Sequence, residues 1–217
     1  MVATRKLRLE VRPAVLVAAT RLFAAKGFDG TALQDVASAV GVSKPAVLHH
    51  FPSKEALRLA VLEAMLAHWK DRLPQLLLAA TASADRFEAV YGELYRFFAE
   101  EPDRARLVMR EPLDRPAEMR TLLTGAVRPW LWAIVSYIHE GQAHGRHQAD
   151  VDAEAYVIQI LLLVISAVAT GEVLDALLPG DGKARQATEL ARLSRSGLFS
   201  PRNETGRKRP RRRSTPR

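Results

Sequence analysis

Residues 31–51, TALQDVASAVGVSKPAVLHHF, constrain the fold of this chain more than any other segment. Apolar residues recur there at helical spacing and predict one buried stripe: Leu33, Val36, Ala37 and Val40. Thr31 is placed to cap this first helix, and Gln34 three positions later completes a capping-box pattern. Gly41 ends the helix, because a glycine adopts a positive φ without a Cβ penalty. The segment therefore opens with a short helix and a tight turn.

A second helix is predicted directly after this turn. Ser43 is its expected cap, and Pro45 fits the first helical turn, where the missing N–H costs nothing. Val47, Leu48 and Phe51 point back to the core, which leaves four residues near the opposite face: Lys44, Ala46, His49 and His50. Two helices joined in this way predict a helix-turn-helix whose second helix is presented outward.

This segment resembles the DNA-binding region of the TetR family of bacterial transcriptional repressors. The resemblance continues upstream through VLVAATRLFAAKGFDGT (15–31) and downstream through HHFPSKEALRLAVLEAM (49–65), where the long linking helix of the family begins. Family members commonly carry a tyrosine just before the final aromatic dipeptide, and this chain has Leu48 there. A phosphate contact from a tyrosine hydroxyl at that position is therefore excluded.

The chemistry of the side chains assigns roles in DNA binding. Thr31 and Lys54, at helix N-termini, are expected to contact phosphates. Lys44 is the best donor to guanine, and Pro45 or Ala46 can touch a thymine methyl group. His50 is left open between a phosphate contact and a packed histidine. The predicted DNA-binding residues are Thr31, Ser43, Lys44, Pro45, Ala46, His49, His50 and Lys54.

Charge and composition agree with a DNA-binding chain. The net charge of +8 is uneven, with +4 in residues 1–57, +7 in residues 202–217 and −3 in the remainder. Basic ends suit a polyanion, because Lys and Arg release the counterions condensed on phosphates. The absence of cysteine excludes disulfides and thiolate zinc sites. The N-terminus has no apolar signal-peptide region, and the apolar run 156–169 is short for a bilayer, so a cytoplasmic protein is expected.

The rest of the chain follows a helical pattern without sustained alternation, which predicts an all-α fold of about nine helices. A basic arm (1–8) precedes a helix that opens at Pro13 and ends at Gly27. Later helices are predicted over 53–73, 85–101, 103–111 (stopped by Pro112), 117–141, 152–178 and 182–197. The expected domains are a helix-turn-helix domain (1–52), a helical effector-binding and dimerisation domain (53–200), and a disordered basic tail (201–217). Three readings of the tail stay open: a solvated end, a DNA tether, or a contact for an acidic partner.

The segment 152–178 is hydrophobic nearly all round and must be buried on several faces. A central helix in a monomer core would satisfy this pattern. The family resemblance implies instead that 152–178 and 182–197 pair with their copies in a second subunit. A homodimer on a palindromic operator also suits a single recognition helix, which reads only a few base pairs.

The resemblance further implies a cavity for a small hydrophobic effector within the helical domain, whose binding releases the DNA. Plain core packing is the alternative for each aromatic residue there, and an effector-independent DNA-binding dimer is the alternative for the chain. Glu111, with His68 and Arg110, is a candidate for orienting a ligand. The candidate lining residues are His68, Trp69, Tyr91, Tyr95, Phe98, Met109, Arg110, Trp130 and Tyr137.

One cluster has residue types that bind metal: His139, Glu140, His144, His147 and Asp150. Gly141 and Gly145 favour an interhelical loop over the rigid tetrahedral geometry that zinc requires. A metal-dependent all-α enzyme is therefore the disfavoured alternative. With no nucleophile and base arranged elsewhere, the sequence predicts no enzyme, no metal and no cofactor.

Overall fold

The computed structural model describes the backbone of residues 2–82, 86–178 and 180–199, and their side chains except those of 2–10, 69–82, 126, 129 and 130. Within these ranges the chain forms ten α-helices and no strand, which confirms the all-α prediction with one helix more than expected. The helices are α1 (Val2–Lys26), α2 (Leu33–Val40), α3 (Lys44–His50), α4 (Lys54–Ala82), α5 (Arg86–Glu100), α6 (Pro102–Asp114), α7 (Pro116–Ala126), α8 (Arg128–Ala143), α9 (Ala153–Asp175) and α10 (Gly182–Leu198).

Proline accounts for most differences from the predicted helices. α1 begins at Val2 and contains Pro13, so residues 2–8 of the expected arm are helical, because residues 2–12 are rich in strong helix formers. α6 continues past Pro112 to Asp114, since a proline in the last turn removes only one hydrogen bond. Conversely, the helix predicted over 117–141 is two helices, and α8 starts anew with Pro129 in its first turn.

The α4 helix is longer than predicted and joins the helix-turn-helix to the rest of the molecule. It runs for 29 residues, about 44 Å at 1.5 Å per residue. Its start is fixed by Ser53, whose hydroxyl accepts the Ala56 N–H at 3.0 Å. The helix is continuous from Lys54, so no flexible linker separates the DNA-binding segment from the rest of α4.

The buried side chains form two clusters. The first joins α1–α3 and the start of α4, and it also includes Leu107 of α6 and Met119 of α7. The second is built from α5, α6, α8, α9 and α10. The first cluster therefore crosses the domain boundary predicted after residue 52, and α6 contributes to both.

One face of α9 stays exposed in the single chain. Its cap is Asp152, which accepts the Ala155 N–H at 3.0 Å. Among the described helices, only α9 has the length and apolar composition of a membrane-crossing helix, with a mean hydropathy of 2.2, although the run 156–169 alone is short. Only 22% of that apolar stretch is buried. Its exposed large residues are Ile158, Leu162, Leu163 and Val173, and Leu177 follows just after it.

Candidate nucleic-acid interface

The turn between α2 and α3 has the backbone geometry that the sequence predicts. Gly41 lies in the left-handed region at φ 75°, and the Val42 N–H donates to the Ala37 carbonyl at 3.0 Å. The Ser43 hydroxyl then accepts the Ala46 N–H at 3.3 Å and caps α3. Val47 is fully buried beneath this turn. The inner faces of both helices are therefore packed, and the outer face of α3 is fixed in direction.

That outer face holds most of the predicted DNA-binding residues. Ser43, Lys44, Pro45 and His49 are exposed, whereas Ala46 and His50 are half-buried. The His49 and His50 rings meet edge to face with centroids 5.4 Å apart. The structure thus presents a cation, hydroxyl and imidazole donors, and small apolar groups on one short helix, which are the groups that read DNA grooves.

Thr31 is placed differently from the prediction. It is 1% exposed, and its hydroxyl donates to the Gly27 carbonyl at 2.8 Å. The cap of α2 is Ala32, whose N–H donates to the Asp35 carboxylate at 3.1 Å. The predicted capping role of Thr31 is therefore wrong, because its hydroxyl closes the end of α1 instead. The Thr31 hydroxyl is therefore buried inside the segment and is not exposed beside the outer face of α3.

Lys54 is engaged with the loop between α1 and α2. Its ammonium donates to the carbonyls of Phe28 and Thr31 at 2.9 and 3.0 Å, and lies 4.3 Å from the centroid of the Phe28 ring. An ammonium has three N–H donors, and two of them are used here. Lys54 therefore stabilises the loop that leads into α2 by donating to its carbonyls. The sequence alone did not indicate this role.

Behind this segment lies a group of charged residues that the sequence reasoning missed. Arg58 of α4 is 6% exposed and pairs with both Glu111 of α6 and Glu118 of α7. Arg115, between α6 and α7, lies 4.3 Å from the centroid of the Phe28 ring. Glu111 is thus occupied by Arg58, against its expected role as a ligand-orienting group. No local pattern links residues 53 and 60 positions apart.

The candidate ligand-lining residues do not converge on one described cavity. Tyr91 is buried and stacks on Phe87, whereas Tyr95 and Met109 are half-buried against the same core. The remaining described candidates are Phe98, buried in this core; Tyr137, in edge contact with His147; His68, exposed and stacked on Phe97; and Arg110, exposed and close to Gly27. The side chains of Trp69 and Trp130 lie outside the described residues.

The histidine-containing segment after α8 packs onto the end of α10. His147 is 3% exposed, its ring contacts Phe199 edge to face, and its Nδ1 lies 3.0 Å from the Ile138 carbonyl. His139 and His144 are exposed and bonded locally. Across the described part of the chain, no group of three or more His, Asp or Glu residues is arranged to hold a metal ion. His147 serves as a packed core residue.

These features define an all-helical, helix-turn-helix DNA-binding protein. Residues 15–61 match the model of bacterial regulatory proteins of the tetR family. The chain is 31% identical over 150 residues to the transcriptional activator FasR of Mycolicibacterium smegmatis, covering 69% of this chain and 68% of FasR. The chain belongs to the TetR family of bacterial transcriptional regulators. Members of this family are DNA-binding regulators and not enzymes, as the sequence predicts.

Two further comparisons distinguish local sequence similarity from similarity of the whole fold. The transcriptional regulator RutR of Escherichia coli is 48% identical over 58 residues, which is only 27% of either chain. FadR of Bacillus subtilis, solved with stearoyl-CoA, superposes with a TM-score of 0.66 at 15% identity, covering 86% of this chain and 98% of FadR. The sequence likeness is therefore strongest in the DNA-binding segment, and the likeness to FadR is one of fold.

Proposed function

We propose that this regulator binds a palindromic DNA operator as a homodimer, through α3 and its N-cap. Ser43, Lys44, Pro45, Ala46 and His49 read base edges or the adjacent backbone, and His50 and the N-terminus of α4 lie beside it. The observation that carries the proposal is the exposed, capped α3 on a fully packed support. Thr31 and Lys54 support this surface from behind, through the bonds described above.

The dimer is proposed to form through α9 and α10. Ile158 and Leu162 repeat at a spacing of four and Val173 lies on the same side of α9, and Leu177 follows just after the end of the helix. Leu193 of α10 is also exposed, and α10 packs on α9. An uncovered apolar surface of this extent is typical of an interaction site. A second copy supplies an equally apolar face in a symmetric arrangement.

The proposed signal is a small hydrophobic effector bound in the helical domain over 53–200, and the proposed response is release of a repressed operator. The aromatic residues of α5 and α8, with the buried Tyr91 among them, support a ligand-binding role for this region. FadR, of similar fold, holds stearoyl-CoA. A ligand acts in this way only if it binds the two dimer geometries with different affinity. The cytoplasm, where the DNA is, is the proposed location.

Selection of bound duplexes from a random DNA pool tests the DNA-binding proposal. The recovered sequence is expected to be a palindrome. Lys44→Ala is then expected to weaken binding and to relax the preference for guanine at one position of each half-site, because a base contact is lost. Arg120→Ala removes an exposed positive charge from α7 and is the matched control. Equal affinities for the wild type and for Lys44→Ala with His49→Ala would contradict the assigned surface.

The regulatory proposal is tested on the same operator. A thermal-shift screen of small hydrophobic molecules, with stearoyl-CoA included, is expected to raise Tm for at least one compound that also releases the DNA. A reporter gene placed after the operator is expected to rise when the regulator is removed. Because FasR is named an activator, a fall in that reporter is the result that would replace repression by activation.

A further inference from the structure

The buried guanidinium of Arg58 joins three helices at one point. Its two terminal nitrogens pair with carboxylates from different helices, Glu111 of α6 and Glu118 of α7. The Glu111 side chain is 5% exposed, whereas the Glu118 side chain is 54% exposed. A planar guanidinium offers donors in a fixed fork, so both pairs form together only when the two carboxylates are correctly spaced.

The corner between α6 and α7 also contacts the loop that leads into the helix-turn-helix. Arg115, at this corner, lies 3.4 Å from the Glu118 carboxylate and 3.7 Å from that of Asp29. Its guanidinium carbon is 4.3 Å from the centroid of the Phe28 ring. A cation over an aromatic face is held by the ring quadrupole. The α6–α7 corner therefore contacts residues 28 and 29 directly through Arg115.

Lys54 of α4 contacts the same loop between α1 and α2. The Lys54 ammonium is 4.3 Å from the Phe28 ring centroid and donates to the Phe28 and Thr31 carbonyls. Arg58 follows Lys54 by four residues, so the two side chains lie on one side of α4. The start of α2 is thus held by a cation from α4 and a cation from the α6–α7 corner, and Arg58 connects those two supports.

We infer that Arg58 is a positioning residue for the helix-turn-helix, and that its pairing with both Glu111 and Glu118 makes the position of α2 and α3 depend on the α6–α7 corner. When the corner shifts, Arg58 loses one carboxylate and Arg115 moves relative to Phe28. The helix-turn-helix formed by α2 and α3 then loses its fixed position relative to the rest of the chain, and it does so without unfolding. The expected effect on DNA affinity rests on the proposed function, whereas the effect on the position of α2 and α3 does not.

Glu118 separates positioning from simple stability. Glu118 is the exposed partner, and Arg58 keeps its buried partner Glu111, so loss of the Glu118 charge is expected to cost little folding stability. Glu118→Gln keeps the size of the side chain and removes its charge, so Tm is expected to stay close to that of the wild type. Glu140→Gln is the matched control, because its side chain is 58% exposed and it pairs with Arg146 far along the chain from this corner.

The placement is measured by spin labelling. The chain has no cysteine, so Ala39→Cys in α2 and Thr124→Cys in α7, both exposed, give two specific labelling sites. Doubly labelled full chain is diluted with unlabelled chain, so that only distances within one protomer are recorded. We expect a narrow distance distribution for the wild type and for Glu140→Gln, and a broader or shifted one for Glu118→Gln. Identical distributions in all three would overturn the inference.

Two further readouts complete the test. Arg58→Lys keeps the charge but loses the fork, and is expected to broaden the distribution as Glu118→Gln does. A loss of Tm in Glu118→Gln beyond that of Glu140→Gln would assign Glu118 a structural role and overturn the inference. On the selected operator, Glu118→Gln is expected to weaken binding on the order of fivefold. If the random pool yields no operator, the proposed function fails, and the distance measurement still decides the positioning role.

Discussion

Leu162→Asp tests the proposed dimer at the middle of the exposed α9 face. In the single chain, Leu162 keeps 47% of its surface exposed. Fully burying a leucine contributes about 2 kcal/mol, so covering this remaining surface contributes about 1 kcal/mol. A symmetric interface contains the residue twice, which brings the apolar contribution to about 2 kcal/mol per dimer.

The introduced carboxylate adds a second loss. Two unpaired carboxylates at one interface must be desolvated and repel each other, at a cost of about 3 kcal/mol after discounting for partial hydration. The combined loss of about 5 kcal/mol corresponds to an increase in the dimer Kd on the order of 10³-fold. Leu113→Asp is the matched control, because Leu113 is 78% exposed on α6, outside the α9–α10 face.

Sedimentation velocity distinguishes the two states of a 24.0 kDa chain. At micromolar concentration the wild type and Leu113→Asp are expected to sediment as dimers, and Leu162→Asp as a monomer with unchanged helical circular dichroism. A wild type that sediments as a monomer, or a Leu162→Asp variant that remains dimeric, refutes the reasoning from the exposed α9 surface.

Two other substitutions test packing and ionisation by denaturant unfolding. Gly141→Ala places a Cβ 1.9 Å from Nδ1 of His147 and is expected to lower the free energy of unfolding by about 3 kcal/mol. Its control, Gly92→Ala, meets nothing within 4 Å and is expected to stabilise α5 by about 0.5 kcal/mol. Similar losses of unfolding free energy in both variants would contradict the packing of His147. Burial raises the pKa of Tyr91 from 10.0 to about 12, so its contribution to stability is complete below pH 10 and is lost as pH rises towards 12. Tyr91→Phe is expected to lose less stability than the wild type between pH 10 and 12, and an unchanged alkaline slope would exclude Tyr91 as the cause.

Local signals in the sequence were sufficient for the helix-turn-helix and for several helix starts. Gly41 and Ser43 act within a few residues of their own positions and have the predicted roles, and Ser53 and Asp152 cap the helices that follow them in the same local way. Thr31 failed by the same logic, because its hydroxyl could bond either to the start of α2 or to the carbonyls at the end of α1. The choice fell to tertiary packing, which buries the Thr31 side chain against α1.

Contacts between distant segments were beyond the reach of sequence patterns. Arg58 and Glu118 are both ordinary charged helix residues in the sequence, and only the return of α6 and α7 onto α4 brings them together. The aromatic candidates show the same limit. A stripe of aromatic residues predicts burial, and the described ones are mostly packed in a core, but the pattern does not distinguish a filled core from a ligand-lined one.

The shared first core has a consequence for protein engineering. Leu107 and Met119 are 1% and 6% exposed and belong to the same packed unit as the α1–α3 helices. Consider a chimeric biosensor in which α4 is cut and residues 1–66 are attached to a foreign sensing module. The core of its DNA-binding segment would contain a cavity where the side chains of Leu107 and Met119 are missing. A working hybrid must graft matching residues into the host's sixth and seventh helices, so the transferable unit is discontinuous in sequence.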